Sequence, residues 1–214
     1  TRALSPDAFE AAANETGAVV LDVRHEDDFV KGHIPRSIFI GLGGDFAPWV
    51  GALVADTEQP LLLVCPEGQE EEAVTRLSRV GFDRSLGYLE GGFEAWKAAG
   101  KEKDQLRSVP ASGLEEELKT RLDRVFDVRK ESEFASEHLK DAINTPLSEI
   151  NAHLAEFPAE EGFYLHCAGG YRSVIAASIL KSRGYHQLTN IEGGFDALKE
   201  TDLPKTDYVC PSTL

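Results

Sequence analysis

The sequence contains no methionine and only three cysteines, at positions 65, 167 and 210. The cysteines form no CxxC pair and no evenly spaced framework, which argues against a zinc site and against a secreted disulfide scaffold. We therefore expect a reducing, cytoplasmic location, no metal and no cofactor. The missing methionine suggests that the sequence is a processed product or a segment of a longer polypeptide with further domains upstream.

Long apolar runs are also missing. The longest, Leu61 to Cys65, is far shorter than the roughly 20 residues of a membrane helix, and the N-terminal residues carry no signal-peptide pattern. Positive charge is scarce too, because 22 Lys and Arg stand against 37 Asp and Glu, a formal charge of -15. This charge opposes binding to nucleic acid and to an anionic membrane surface, so neither is expected as a partner.

An internal repeat organises the chain. Three blocks recur in the same order at similar spacing. Residues 21–38 match 126–143, residues 61–65 match 163–167, and residues 88–96 match 190–198. The repeat predicts two domains of one fold, residues 1–104 and 105–214, joined by a polar stretch that Pro110 and Gly113 interrupt.

Strand and helix patterns alternate within each repeat. Apolar, β-rich runs predict strands at residues 18–23, 61–65, 124–128 and 163–167. A helix beginning at Glu70 would share one apolar face among Ala73, Val74, Leu77 and Val80. A helix opened by Arg172 and Ser173 is apolar on nearly every side and should end at Gly184. The alternation predicts an α/β fold in which each domain has a central, mainly parallel sheet flanked by helices.

Cys167 is the predicted nucleophile. It lies between a strand and a buried helix, at the carboxyl edge of the sheet, where open α/β folds bind ligands. Gly169 and Gly170 can adopt positive φ, which would turn the amides of residues 168–173 toward the sulfur. These donors, the helix N-terminus and Arg172 favour a thiolate and would also hold a persulfide. We therefore expect an ionised and exposed sulfur.

The residues that follow Cys167 are the predicted substrate-binding residues: Ala168, Gly169, Gly170, Tyr171, Arg172 and Ser173. Arg172 supplies a planar fork of donors for an oxyanion such as a thiosulfonate group, and Tyr171 could line the rim. His166 should point to the opposite face of its strand, which favours a structural role. The alternative for Cys167 is a buried core thiol, although a core thiol has no use for the glycines and the arginine behind it.

The repeated DVR, the KGHIPRSI run, the CAGGYRS loop and the EGGF blocks resemble the rhodanese family over nearly the whole chain. The resemblance implies transfer of sulfane sulfur through a persulfide on Cys167, with residues 168–173 as the cradle loop. It implies a small anionic sulfur donor, thiosulfate or a persulfide, and a thiol or cyanide as acceptor.

Two other functions remain open. Phosphatases and arsenate reductases that resemble this fold have the loop spacing Cys-x5-Arg. Cys167 and Arg172 form the shorter Cys-x4-Arg, which suits a single sulfur atom. The chain could also be a non-catalytic sulfur-relay or docking module. Residues 41–53 resemble the first rhodanese repeat of proteins with an upstream metallo-β-lactamase-like domain, which suggests such a domain, or a sulfur-acceptor protein, as a partner.

The first repeat departs from the pattern after Cys65. Pro66 removes a backbone donor there, and Glu67, Glu70, Glu71 and Glu72 bring negative charge to the loop. Since like charge raises a thiol pKa and repels anionic substrates, the first domain is predicted to be inactive.

Overall fold

The computed structural model describes residues 1–213, and the chain forms two compact units, Thr1–Gln105 and a second unit that begins at Leu106. The strands of the first unit are Ala3–Leu4 (β1), Val19–Asp22 (β2), Ile38–Phe39 (β3), Leu61–Val64 (β4) and Ser85–Leu89 (β5). Its α-helices are Pro6–Thr16 (α1), Glu26–Lys31 (α2), Phe46–Leu53 (α3), Glu70–Ser78 (α4) and Gly92–Ala98 (α5). The strands pair in parallel in the order β1-β5-β4-β2-β3.

The second unit repeats this plan. Its strands are Arg107–Pro110 (β6), Val125–Asp127 (β7), Ile143–Asn144 (β8), Phe163–His166 (β9) and Leu188–Glu192 (β10). Its α-helices are Ala111–Leu118 (α6), Glu131–Ser136 (α7), Tyr171–Ser182 (α8) and Gly194–Leu198 (α9), and 3-10 turns occupy Leu122–Arg124, Leu147–Glu156 and Pro211–Thr213. The parallel order β6-β10-β9-β7-β8 matches that of the first unit. The predicted α/β class, with a parallel sheet in each repeat, is confirmed.

Helix α8 has the burial that its sequence predicts. Every residue from Ser173 to Leu180 is buried, and Gly184 follows the helix with a φ of +95°. A residue with positive φ just after a helix lets the last carbonyls find donors, which is why glycine stands there. Within residues 1–213, none of the helices combines the length and apolar character that crossing a membrane requires.

The helix predicted from Glu70 is shorter than its apolar pattern indicates. Ala73 and Leu77 are buried, but α4 ends at Ser78 and Val80 is 36% exposed. The chain turns at Gly81, where φ is +90°, so Val80 leaves the helical face. The prediction that Val80 shares that face is wrong, because a local turn ends the helix before the pattern does.

A buried ion pair stands at the end of one strand in each unit. In the second unit, Asp127 is fully buried and its carboxylate accepts from Nε and Nη2 of Arg129 at 3.0 and 2.8 Å. Arg129 Nη2 also donates to the carbonyl of Glu137 at 2.8 Å, which ties the end of β7 to the end of α7. Asp22 and Arg24 repeat the arrangement in the first unit. Each pair therefore ties the end of a strand to the end of the helix that follows it.

Replacing Arg129 with methionine should destabilise the second unit by about 3 kcal/mol, because it leaves the buried Asp127 carboxylate without its partner. Urea denaturation monitored by circular dichroism measures the loss in the free energy of unfolding. Lys119→Met is the control, since Lys119 pairs with Glu116 on an exposed surface and its removal should leave the transition unchanged. An Arg129→Met protein as stable as the parent would show that the pair does not hold the fold.

Candidate functional site

Cys167 directly follows β9, the central strand of the second sheet, at the edge where β7 and β10 also end. This position agrees with the sequence analysis. The expected exposure does not, because Cys167 is only 1% exposed. The loop and the N-terminus of α8 close over the thiol, so the prediction of an exposed sulfur is wrong for this structure.

The loop after Cys167 directs a backbone donor at the sulfur. The amide N–H of Gly170 donates to Cys167 Sγ at 3.1 Å, and the thiol lies 3.5 Å from Ser173 Oγ. Gly170 has a φ of +125°, a conformation that residues with a Cβ rarely adopt. Gly169 was expected to share this positive φ and does not; it is exposed, on the outside of the loop. One glycine therefore turns the chain.

The shape of the loop depends on the EGGF segment at residues 192–195, to which the sequence analysis assigned no role at the site. The amides of Phe195 and Asp196, at the start of α9, donate to the carbonyls of Cys167 and Ala168 at 2.7 and 3.0 Å. A Cβ on Gly194 would lie 2.5 Å from both of those carbonyl oxygens. Only glycine allows so close an approach, so Gly194 is a loop-positioning residue that the sequence analysis missed.

His166 has the structural place that its strand position predicts. Its ring is fully buried, and Nδ1 lies 3.0 Å from the carbonyl oxygen of Cys167. Because a carbonyl only accepts, Nδ1 donates there and helps to fix the same peptide group that Phe195 holds. His166 therefore braces the backbone of Cys167.

Arg172 lies on the first turn of α8, but its donors are already engaged. Nη1 and Nη2 donate to the two carboxylate oxygens of Glu133 at 2.7 and 3.0 Å. The hydrogen bonds that Arg172 donates to Glu133, then the charges of Glu133 and Cys167, raise the pKa of Arg172, whereas the same bonds lower the pKa of Glu133. The guanidinium is thus a permanent cation whose charge is compensated.

Glu133 is the second residue that the sequence analysis missed. It stands three residues after Lys130, the N-cap of α7, and its carboxylate also accepts from the Lys130 amide at 3.0 Å. A glutamate at that position is a recognisable capping signal. Nothing in the sequence couples it to Arg172, which is 39 residues away in the chain.

The other predicted loop residues surround the thiol to different degrees. Ser173 is fully buried and its Oγ donates to the carbonyl of Gly170 at 3.3 Å. Ala168 and Tyr171 are partly buried, and Tyr171 is the first residue of α8. All six predicted residues therefore lie in the loop after Cys167 and the first turn of α8, and the contacts with the sulfur come from the Gly170 amide and the Ser173 hydroxyl.

In the first unit, the equivalent backbone amide donates to a different acceptor. The amide of Gly68, which corresponds to Gly170, donates at 3.3 Å to the carboxylate of Glu70, which corresponds to Arg172. Burial, followed by the charges of Glu70 and Asp22, raises the pKa of the Cys65 thiol from 9.0 to about 12. The Cys65 thiol is therefore protonated at neutral pH.

Comparison with known proteins gives the chain relatives. A model of the rhodanese-like domain matches residues 5–99 and 111–201. The uncharacterized protein YqhL of Bacillus subtilis is 35% identical over 72 residues, which cover 34% of this chain and 57% of YqhL. Thiosulfate sulfurtransferase GlpE of Pseudomonas savastanoi pv. phaseolicola is 35% identical over 94 residues, which cover 44% of this chain and 85% of GlpE.

Among solved structures, a thiosulfate sulfurtransferase from Pseudomonas aeruginosa covers 98% of this chain and 44% of its own, with 20% identity and a TM-score of 0.42. The chain thus spans about half the length of YqhL and of this structure. Because the domain model matches both repeats and most of the sequence, the chain belongs to the rhodanese-like family.

Proposed function

We propose that the second unit is a sulfurtransferase that carries sulfur as a persulfide on Cys167. The observation that carries the proposal is the amide of Gly170 aimed at Cys167 Sγ, in a loop that α9 holds from the other side. Such a donor stabilises a sulfur anion without a general base. The relatives named thiosulfate sulfurtransferases support the same reaction class.

The reaction needs two displacements at sulfur. The Cys167 thiolate bonds to the outer sulfur of thiosulfate, the S–S bond of the donor breaks, and sulfite leaves with the bonding pair. The persulfide then gives its terminal sulfur to an acceptor: cyanide becomes thiocyanate, or a thiolate becomes a persulfide, and the Cys167 thiolate is restored. The Gly170 amide can hold the anionic sulfur at each stage.

The burial of Cys167 adds a requirement to this proposal. With 1% of the residue exposed, a donor reaches Sγ only after the residues that cover it move. The same burial favours a second candidate, a non-catalytic sulfur-relay or docking module in which the thiol never meets a small donor. Formation of a Cys167 persulfide from thiosulfate or another small donor, on the intact protein without a partner, separates the two.

The partners belong to this proposal as well. We propose a small anionic sulfur donor and a thiol or cyanide acceptor. An upstream metallo-β-lactamase-like domain, or a separate sulfur-acceptor protein, stays a prediction that rests on the resemblance of residues 41–53.

Replacing Cys167 with serine should abolish thiocyanate formation from thiosulfate and cyanide, because no thiolate remains to carry the sulfur. Mass spectrometry of the parent protein after thiosulfate treatment should show one added sulfur atom on the peptide that contains Cys167. Cys65→Ser is the matched control and should keep full activity, since the Cys65 thiol is buried and protonated. Activity that survives in Cys167→Ser would refute the enzymatic assignment.

Alkylation should distinguish Cys210 from Cys65 by the pKa of each thiol. Iodoacetamide reacts with thiolates, and Cys210 is exposed with a pKa lowered by the Ser212 hydroxyl, so it should label first. Cys65 should stay unlabelled even at about pH 10, because its raised pKa keeps it protonated there. Peptide mapping after timed quenching measures both. Rapid labelling of Cys65 at neutral pH would show that the first unit holds a reactive thiol.

A further inference from the structure

The guanidinium of Arg172, on the helix turn that follows the Cys167 loop, is paired with a carboxylate on another helix. Both terminal nitrogens of Arg172 face Glu133, and the pair is partly buried, with side chains 19% and 34% exposed. Glu133 is itself fixed, because it caps α7 through the Lys130 amide. The pair is therefore a built feature of the site, unlike a flexible surface contact.

The surroundings of the loop add little free positive charge. Arg129, the other arginine near the loop, is paired with the buried Asp127 and stacks over Phe195. Asp196 lies beside Gly169, since a Cβ on that glycine would be 4.0 Å from its carboxylate. Both flanking arginines are thus compensated, and the Asp196 carboxylate is itself 3.9 Å from Lys199 Nζ. The guanidinium of Arg172 therefore attracts a dianion at Cys167 less than an unpaired arginine would.

We propose that Glu133 sets the sulfur-donor selectivity of the Cys167 site: by neutralising Arg172, it disfavours the thiosulfate dianion and favours low-molecular-weight persulfides with little net charge. This inference rests on the proposed sulfurtransferase function and names the donor class. Glu133 is a specificity-determining residue that acts through Arg172.

The favoured reaction keeps charge low throughout. The Cys167 thiolate bonds to the outer sulfur of a protonated persulfide, the S–S bond of the donor breaks, and the donor leaves as a thiolate. The proton stays on the transferred sulfur. With thiosulfate, by contrast, two further negative charges enter the site and leave as sulfite. The negative charge of Glu133 therefore strongly slows the reaction with thiosulfate and has little effect on the reaction with a protonated persulfide.

The test measures how fast Cys167 gains one sulfur atom, by mass spectrometry, from thiosulfate and from 2-hydroxyethyl persulfide at several concentrations. In Glu133→Gln the second-order rate constant for thiosulfate should rise about tenfold, since one negative charge near a dianion is removed. The constant for 2-hydroxyethyl persulfide, which is uncharged when its terminal sulfur is protonated, should change by less than about twofold. A loss of equal size with both donors would show that Glu133 only supports the fold, and would overturn the proposal.

Three further variants define the origin of the effect. Glu131→Gln removes the same charge from the exposed first turn of α7, away from the arginine, and should leave the donor ratio unchanged. Glu133→Asp keeps the charge and should keep the parent ratio. Adding Arg172→Gln to Glu133→Gln should cancel the gain for thiosulfate, because the gain needs the released guanidinium. A gain that persists without Arg172 would contradict the proposed route.

The parent protein offers a measurement that needs no variant. Its rate with thiosulfate should not fall as salt increases, because Glu133 cancels the charge of Arg172 and the protein as a whole carries a formal charge of -15. A steep fall with salt would overturn the inference.

Transfer from both donors that depends on Cys167 but with an unchanged donor ratio in Glu133→Gln would refute this inference alone. Sulfur uptake in Cys167→Ser would refute the proposed function itself.

Discussion

The site depends on how the peptide groups of Cys167 and Ala168 are held. Their carbonyls accept from the first amides of α9, at 2.7 and 3.0 Å, and the absence of a side chain on Gly194 allows that approach. With these two carbonyls held by α9, the chain enters α8 through Gly170, whose positive φ turns its amide toward the sulfur. The cradle is thus imposed by contacts on its outer surface, since the four residues that join β9 to α8 have no reason by themselves to keep one shape.

The two repeats share a backbone plan but differ around the cysteine. Both sheets have the same strand order, and both loops turn at a glycine with positive φ, Gly68 and Gly170. The residues around the two glycines differ. In the first unit the Glu70 carboxylate accepts from the glycine amide, and burial, followed by the charges of Glu70 and Asp22, raises the pKa of the Cys65 thiol. In the second unit Arg172 stands at the position of Glu70, and the glycine amide donates to the sulfur.

Charge compensation gives the second unit a consistent character. Its arginines at the site are engaged by carboxylates, Arg129 by Asp127 and Arg172 by Glu133, and so they act first as structural ties between elements. Anchoring the loop and attracting an anion are competing uses of one guanidinium, because a bidentate carboxylate takes both its donors and its charge. In the proposed reaction, this competition connects the anchoring of the loop to the choice of donor.

The sequence alone determined the repeat, the α/β class, the position of Cys167 at a strand end and the buried character of α8, because these follow from periodicity and from local residue types. It also indicated the altered first loop, since Pro66 and the glutamates are neighbours of Cys65 in the chain. The ion pair of Arg172 with Glu133, the close approach of Gly194 and the burial of Cys167 were decided only by the tertiary structure. Each joins elements that are distant in sequence, and no local pattern records which distant groups the parallel sheet will bring to the same edge.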